Sequence, residues 1–371
     1  MKSIISKLVP KEYRPNHVVS SRIIEQQPIS AAYENLLPSL CDYNDLVCLD
    51  EDTLMSNMIY HYNACIVPYK EGYRLFYRTG IEPKMVHDYI ATCLLSKDLK
   101  VIKDSNKIVK TYSNGEQVMK DMKQMFYQHN MINDSQHCED PRAVQHKGFW
   151  YLTYTDGFRV GIAKLDLETC ETMYSHYLFP PKSVKNGISD GREKNWIPYS
   201  DGHHLCFVYS DNPRTIIRYT DKETYLEQSP LITKFPKTEC NFGSIRGGST
   251  PVKYDENHYI WFFHTASDLK YTCGAYITLG YEKVIYVFKD PILVGQPQPK
   301  MITNKTIKNN IVYPCGAVET GSGWIVSFGI NDYKVGFLPI KRSLIEKNIP
   351  IHVLKSIQSK NPPPLPVSEK N

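Results

Sequence analysis

Five short segments of one character recur along the chain: YRLFYR at 73–78, WYLTYT at 150–155, LCFVYS at 205–210, YIWFFH at 259–264 and WIVSFG at 324–329. Each mixes aromatic and β-branched residues between turn formers, which is the signature of a strand. A second segment precedes each one across a polar or glycine-containing hinge. These are NACIVPY at 63–69, DPRAV at 140–144, NWIPY at 195–199, GSTPV at 248–252 and YPCGAV at 313–318. The chain therefore carries five hairpins, each with a polar or small-residue first strand and an aromatic second strand. The aromatic strands begin roughly 77, 55, 54 and 65 residues apart, and a unit of that length holds about four strands. Five such units predict an all-β fold, a five-bladed β-propeller, whose radial closure protects the strand edges of so long a chain. The first strand of each blade would line the central channel, so polar residues there would converge on one pocket. A sandwich gives no reason for polar signatures to recur at the same point of each unit.

Composition supports a packed domain with few special partners. Of 371 residues, 42% are apolar and 22% charged, enough to bury a sizeable core. The 44 Lys and Arg exceed the 39 Asp and Glu by a net +5 spread along the chain, and no basic run points to a nucleic acid. No stretch approaches the roughly eighteen apolar residues that cross a bilayer, and the first 22 residues lack the apolar block of a secretory signal. The expectation is a cytoplasmic protein with no membrane partner; the sequence carries no signal of oligomeric state. The ten cysteines are scattered singly with no Cys-x-x-Cys pair. Free buried thiols are expected, rather than a disulfide framework or a structural zinc site.

Outside the repeats, residues 1–50 read as an N-terminal extension that packs on the propeller or completes its last blade, with a short helix at 31–37. Residues 51–345 read as the catalytic propeller. Residues 116–128 place Val118, Met119, Met122, Met125 and Phe126 at helical spacing, predicting one helix inserted between blades one and two. Residues 346–371 form a C-terminal segment ending in a proline-rich tail from Asn361 onward.

The chemistry-bearing residues cluster at the hairpins. Glu139, Asp140 and Arg142 sit at the head of the first strand of blade two, where charge is rarely placed unless paired or used. Lys194 and Asn195 follow Glu193 at the matching place in blade three. In blade four Arg246 precedes Gly247-Gly248-Ser249, whose missing side chains allow close approach of a ligand. His264 ends the next strand and Arg78 holds the matching place in blade one, where Asn63 opens the first strand. Asp332 follows blade five. Converging, these groups would form a polar site in which carboxylates hold and protonate sugar oxygens, Trp and Tyr stack on sugar rings, and cations hold an anion such as phosphate. His137, His203 and His204 make no ligand set, so no metal is expected. The Gly-Gly pair is not followed by a phosphate-loop Lys-Ser/Thr, and no serine nucleophile has its context.

Five of these segments, taken in order, resemble one family. EDPR at 139–142, EKNW at 193–196, RGGS with the aromatic strand ending in His264, CGAY at 273–276, and YPCGA through GIND at 313–332 are similar to the propeller enzymes of glycoside hydrolase family 130. The resemblance spans about residues 60–340. It implies a five-bladed propeller and an inverting phosphorylase or hydrolase of β-mannoside-like oligosaccharides, with related β-mannosyltransferases as an alternative. A propeller that only binds glycans or proteins is the third reading, and the cost of desolvating so many charges argues against it. The resemblance makes Asp140 the general acid. It assigns Arg142, Lys194, Arg246 and His264 to phosphate or substrate and Asp332 to the sugar next to the scissile bond; Asn63, Arg78, Glu139 and Asn195 are further candidates for contact with substrate or phosphate. It implies an oligosaccharide or sugar phosphate as ligand and no cofactor beyond inorganic phosphate as co-substrate. Hydrolysis would need a second carboxylate, for which Glu193, Glu239, Asp268 and Asp332 are candidates.

Overall fold

The computed structural model describes residues 39–55, 58, 60–80, 88–111, 138–156, 159–180, 193–211, 213–219, 231–233, 235, 242–267, 270–296 and 310–359. The helices expected at 31–37 and 116–128 and the proline-rich tail lie outside these residues, as do Glu239 and Asp268.

The described strands form five antiparallel sheets, one for each hairpin, and together they make a five-bladed β-propeller. From the axis outward, blade one runs Tyr60–Tyr69, Gly72–Gly80, Asp88–Leu95 and Lys107–Val109. Blade two runs Glu139–His146, Phe149–Thr155, Val160–Asp166 and Thr172–Leu178, and blade three Ile197–Ser200, Leu205–Asp211, Arg214–Tyr219 and Leu231–Thr233. Blade five runs Val312–Thr320, Gly323–Ile330 and Lys334–Lys341, and its outermost strand is Val47–Cys48, with Val47 opposite Phe337. An early strand thus closes the last blade and ties the ring.

Blade four departs from the expected pattern. Its inner strand is broken into Ser244–Arg246 and Val252–Lys253, both pairing with His258–Ser267. The intervening Gly247 to Pro251 cannot continue the ladder regularly, because Pro251 lacks an N–H. Gly248 also lies so close to the next strand that a Cβ would come within 2.1 Å of the Phe262 carbonyl oxygen.

The blades are joined at the axis by short contacts between inner strands. Ser327 of blade five donates to the Ala64 carbonyl at 2.6 Å and accepts from the Ile66 N–H at 3.1 Å. Between blades, apolar faces bury against one another. All four tryptophans (Trp150, Trp196, Trp261 and Trp324) are fully buried there. Each indole N–H finds a partner, on Leu167 O, Glu193 Oε2, Thr278 Oγ1 and Lys253 O. This corrects the expectation that tryptophan would face a sugar: large flat side chains are worth more as wedges between blades. Two helices follow blade five, α1 (Arg342–Lys347) and α2 (Ile351–Gln358). Ile345, Ile349 and Ile357 pack them onto the core of blades four and five. Among the described residues no helix is long and apolar enough to cross a membrane.

Candidate active site

The inner strands are irregular where the polar residues sit. Register slips between Tyr62 and Cys65 in blade one, between Glu139 and Arg142 in blade two, and between Pro314 and Gly316 in blade five. Asn63 (φ 49°) and Asp140 (φ 54°) occupy two of these bulges in the left-handed region, and Asn195 (φ 63°) does so just before the strand of blade three. Asn and Asp tolerate that region better than other side chains, and a bulge re-aims the residue it contains. The strain, of order 1–3 kcal/mol per residue, is borne by the surrounding sheets.

Asp140 is the centre of the first cluster. Asn63 Nδ2 donates to its Oδ1 at 2.6 Å, and Arg78 Nη1 stands 3.6 Å from the same oxygen. Both contacts fall on Oδ1. Arg78 Nη2 donates to Glu139 Oε1 at 2.7 Å and also pairs with Asp88, and its guanidinium lies over the Tyr62 ring at 4.7 Å. Burial opposes the charge of Arg78, but the surrounding Tyr62, Glu139, Asp88 and Asp140 more than offset it and hold the guanidinium protonated. Asp332 of blade five (φ 54°) acts on Tyr62 as Glu139 and Asp88 do, raising its hydroxyl along with burial, which places it beside this cluster.

The second cluster faces blades three, four and five. Arg142, 2% exposed, donates from Nε to Gly248 O at 2.6 Å and from Nη2 to Tyr313 OH at 2.8 Å and Gly247 O at 3.4 Å. Its Nη1 reaches back to Asp140 O at 3.3 Å. With four of its five N–H groups given to protein acceptors, Arg142 is a brace between blades. Tyr313 donates in turn to Asn195 Oδ1 at 2.5 Å. The glycines of RGGS serve this brace: a Cβ on Gly247 would come within 2.1 Å of Asn195 O, so only glycine lets blades three and four approach.

His264 departs from its expected role as a cation. It is 1% exposed, shares Nδ1 with Gly247 O at 2.8 Å, and packs its ring 4.6 Å from that of Tyr313. Burial, reinforced by repulsion from Arg142, Arg246 and Lys194, pushes its pKa down to about 3, so it is neutral at neutral pH. That repulsion also shows where Lys194 and Arg246 stand. Both are exposed, Arg246 is the strand partner of His264, and the two charges act on the imidazole from separate blades. The positive side of the site is therefore Arg142, Lys194 and Arg246 around a neutral histidine.

Seven of the ten expected residues thus join through direct contacts, in two clusters linked through Asp140 and Arg142, while Lys194, Arg246 and Asp332 act on them through their charge. Glu193 does not contribute a loose carboxylate: Trp196 Nε1 donates to it at 3.2 Å and Tyr209 OH at 3.4 Å. Sequence reading missed Tyr62, Asp88 and Tyr313 as parts of the site. Tyr62 and Tyr313 precede a bulge residue or open an inner strand, a signal that could have found them; Asp88 has no local signal. Among the described residues no group of His, Cys, Asp and Glu could hold a metal ion. A cavity of about 360 Å³ opens along the inner strands away from these residues, lined by Val67, Tyr199, Thr250, Lys253 and Glu319 among others, and holds none of the ten.

Residues 25–347 match the family model described as beta-1,4-mannooligosaccharide phosphorylase, and the chain belongs to glycoside hydrolase family 130. Members are glycoside phosphorylases and hydrolases, so the chain is an enzyme acting on glycosides. Among solved structures it is similar to a beta-1,2-mannobiose phosphorylase from Listeria innocua, with 16% identity, a TM-score of 0.55, and 82% of this chain and 98% of that one covered. It is also similar to a structure described as a family 130 glycoside hydrolase targeting beta-1,2 mannosidic linkages in Candida mannan. That match has 12% identity and a TM-score of 0.51, covering 86% of this chain and 96% of that one. The catalytic domain of a Coprinopsis cinerea GH62 alpha-L-arabinofuranosidase shares the fold at 10% identity and a TM-score of 0.51, covering 78% of this chain and 93% of that one. A search of curated proteins by sequence finds no match.

Proposed function

We propose that the enzyme cleaves β-mannosidic bonds by phosphorolysis with inversion, releasing mannose 1-phosphate. Asp140 gives its proton toward the glycosidic oxygen, by way of a sugar hydroxyl, while phosphate attacks the anomeric carbon from the opposite face. Asn63 and Arg78 hold the acid, and Asp332 and Glu139 meet sugar hydroxyls. Lys194, Arg246 and the remaining N–H of Arg142 hold the phosphate, with His264 as a neutral partner beside it. The supporting observation is the sign of the charge around His264. An inverting hydrolase needs a second carboxylate to activate water. There the site presents guanidinium and ammonium groups, while Glu193 is held by Trp196 and Tyr209. Cations in that place favour an oxyanion nucleophile.

The test is incubation with β-1,2- and β-1,4-manno-oligosaccharides with and without phosphate, following mannose 1-phosphate by phosphorus NMR. Mannose 1-phosphate formed only with phosphate is the expected result; free mannose released at the same rate without phosphate would establish hydrolysis instead. The nine described cysteines are free thiols, eight of them buried, which supports placing the enzyme in a reducing compartment such as the cytoplasm.

A further inference from the structure

Arg142, Tyr313 and Asn195 form a relay in which the direction of each hydrogen bond is fixed. A guanidinium can only donate, so the 2.8 Å contact from Arg142 Nη2 makes the Tyr313 hydroxyl an acceptor there. The hydroxyl proton then needs an acceptor of its own, because a buried O–H left unpaired is costly. Tyr313 is 4% exposed, and the acceptor it meets is Asn195 Oδ1 at 2.5 Å. Burial holds this hydroxyl well above its ordinary range, against the pull of Arg142 and with Asp140 adding to the rise, so the proton stays in place at neutral pH.

The amide of Asn195 is thereby oriented. Its oxygen is taken by Tyr313, so its Nδ2 faces the other way. Among the described residues Nδ2 has no protein partner, and on this half-buried residue it is not sealed from solvent. The backbone beneath is equally constrained. Asn195 has φ 63°, and its carbonyl oxygen packs on Gly247, where a Cβ would come within 2.1 Å. Rotation of the side chain is the freedom that remains, and the phenol removes it. Lys194 is the residue before Asn195, and Arg246 the residue before Gly247; both are exposed cations. A fixed N–H donor next in the chain to such a cation suits an oxyanion.

We propose that Tyr313 is a positioning residue for the phosphate site: by holding the oxygen of the Asn195 amide it presents Nδ2 to the bound phosphate as a hydrogen-bond donor. The effect of Tyr313 passes through Asn195. This rests on the phosphorolysis reading above.

The test is a double-mutant cycle of Tyr313→Phe and Asn195→Ala in the whole chain, read as phosphate affinity by calorimetric titration. Tyr313→Phe keeps the ring against His264 and leaves Arg142 its three carbonyl acceptors, removing the hydroxyl alone. It should weaken phosphate about tenfold, the loss of roughly one hydrogen bond to a charged group. KM for phosphate should rise in step, with KM for the mannoside within about twofold. In the Asn195→Ala background the same change should cost less than about twofold, since the residue it acts through is gone. Equal losses in both backgrounds would mean that the hydroxyl acts through Arg142 or the fold, and would overturn the assignment. If Tyr313→Phe fails to fold, Asn195→Asp takes its place. It still accepts from Tyr313 but has no N–H to give, so phosphate should weaken by about tenfold or more, and unchanged affinity overturns the proposal. A crystal structure of Tyr313→Phe without ligand reads the positioning by itself: the Asn195 side chain should leave its present orientation, and one that stays is not held by Tyr313. A wild type that gives no heat with phosphate overturns the phosphate contact together with the phosphorolysis reading, while the crystal structure still decides whether Tyr313 sets the amide.

Discussion

Asn63 donates its side-chain amide to Asp140 Oδ1 at 2.6 Å, across the boundary between blades one and two. Gly329 of blade five makes room for it, since a Cβ there would lie 1.7 Å from Asn63 Oδ1. Three blades therefore meet at the acid, and a glycine in a strand two blades away sets its orientation.

Gly329→Ala should displace Asn63 and with it Asp140. The methyl has no space, so the cost is overpacking of about 1–3 kcal/mol together with a fall in turnover. Thermal melting and kcat on the same preparation check this. A variant with full activity would show that the Asn63 contact is dispensable.

Asp140→Asn keeps the size of the side chain and removes its proton. Turnover should drop by about a hundredfold or more, with the melting temperature nearly unchanged because Asn can still accept from Asn63. Wild-type turnover in this variant would make Asp140 a strand anchor and nothing more.

The ring of blades was legible because each hairpin repeats one physical pattern: an aromatic strand preceded by a polar-headed one. The residues of the site were legible for a related reason, as charges such as Asp140 and Arg142 have no business on a channel-lining strand unless they are used. Their roles were less so. Arg142 reads as an anion contact in sequence, yet three contacts bind it to two carbonyls and a phenol of neighbouring blades, and a fourth to a carbonyl of its own strand. His264 reads as a cation, yet burial makes it neutral. Both depend on depth and on partners over a hundred residues away or on another strand, which periodicity does not encode. Asp88 was invisible for the same reason: only the folded sheet brings it to Arg78.

Two buried histidines make stability depend on pH. Burial lowers the pKa of His264 to about 3 and that of His61 to about 4, against an ordinary 6.5. In the unfolded chain both take up protons as pH falls below about 6.5, while in the folded protein they do not. The unfolded state then binds more protons, so folding stability should be at its full value above about pH 6.5 and decline toward pH 4, by about 2–3 kcal/mol for each histidine at pH 4.5. Melting temperature against pH checks the slope, and His264→Gln should flatten it. An equally steep decline in that variant would assign the loss to the carboxylates.

Lys194 of blade three and Arg246 of blade four are exposed charges that both act on the neutral His264. Like charges gathered in one place repel, and a bound oxyanion relieves that repulsion. Phosphate or mannose 1-phosphate should therefore bind the folded protein and raise its melting temperature by linkage. At ten times the dissociation constant the gain is about 1.4 kcal/mol, or roughly 2 °C for a chain of this size. Lys194→Ala or Arg246→Ala should weaken the shift and raise KM for phosphate by about tenfold, leaving KM for the mannoside almost unchanged, because a point charge lost from an oxyanion site is worth about 1–2 kcal/mol. Lys347→Ala is the control: Lys347 is exposed on α1, beyond the blades, and its loss should change neither quantity. Calorimetric titration of the wild type with phosphate settles the matter directly. No heat and no thermal shift at millimolar phosphate or mannose 1-phosphate would remove phosphorolysis and leave these cations to serve the fold.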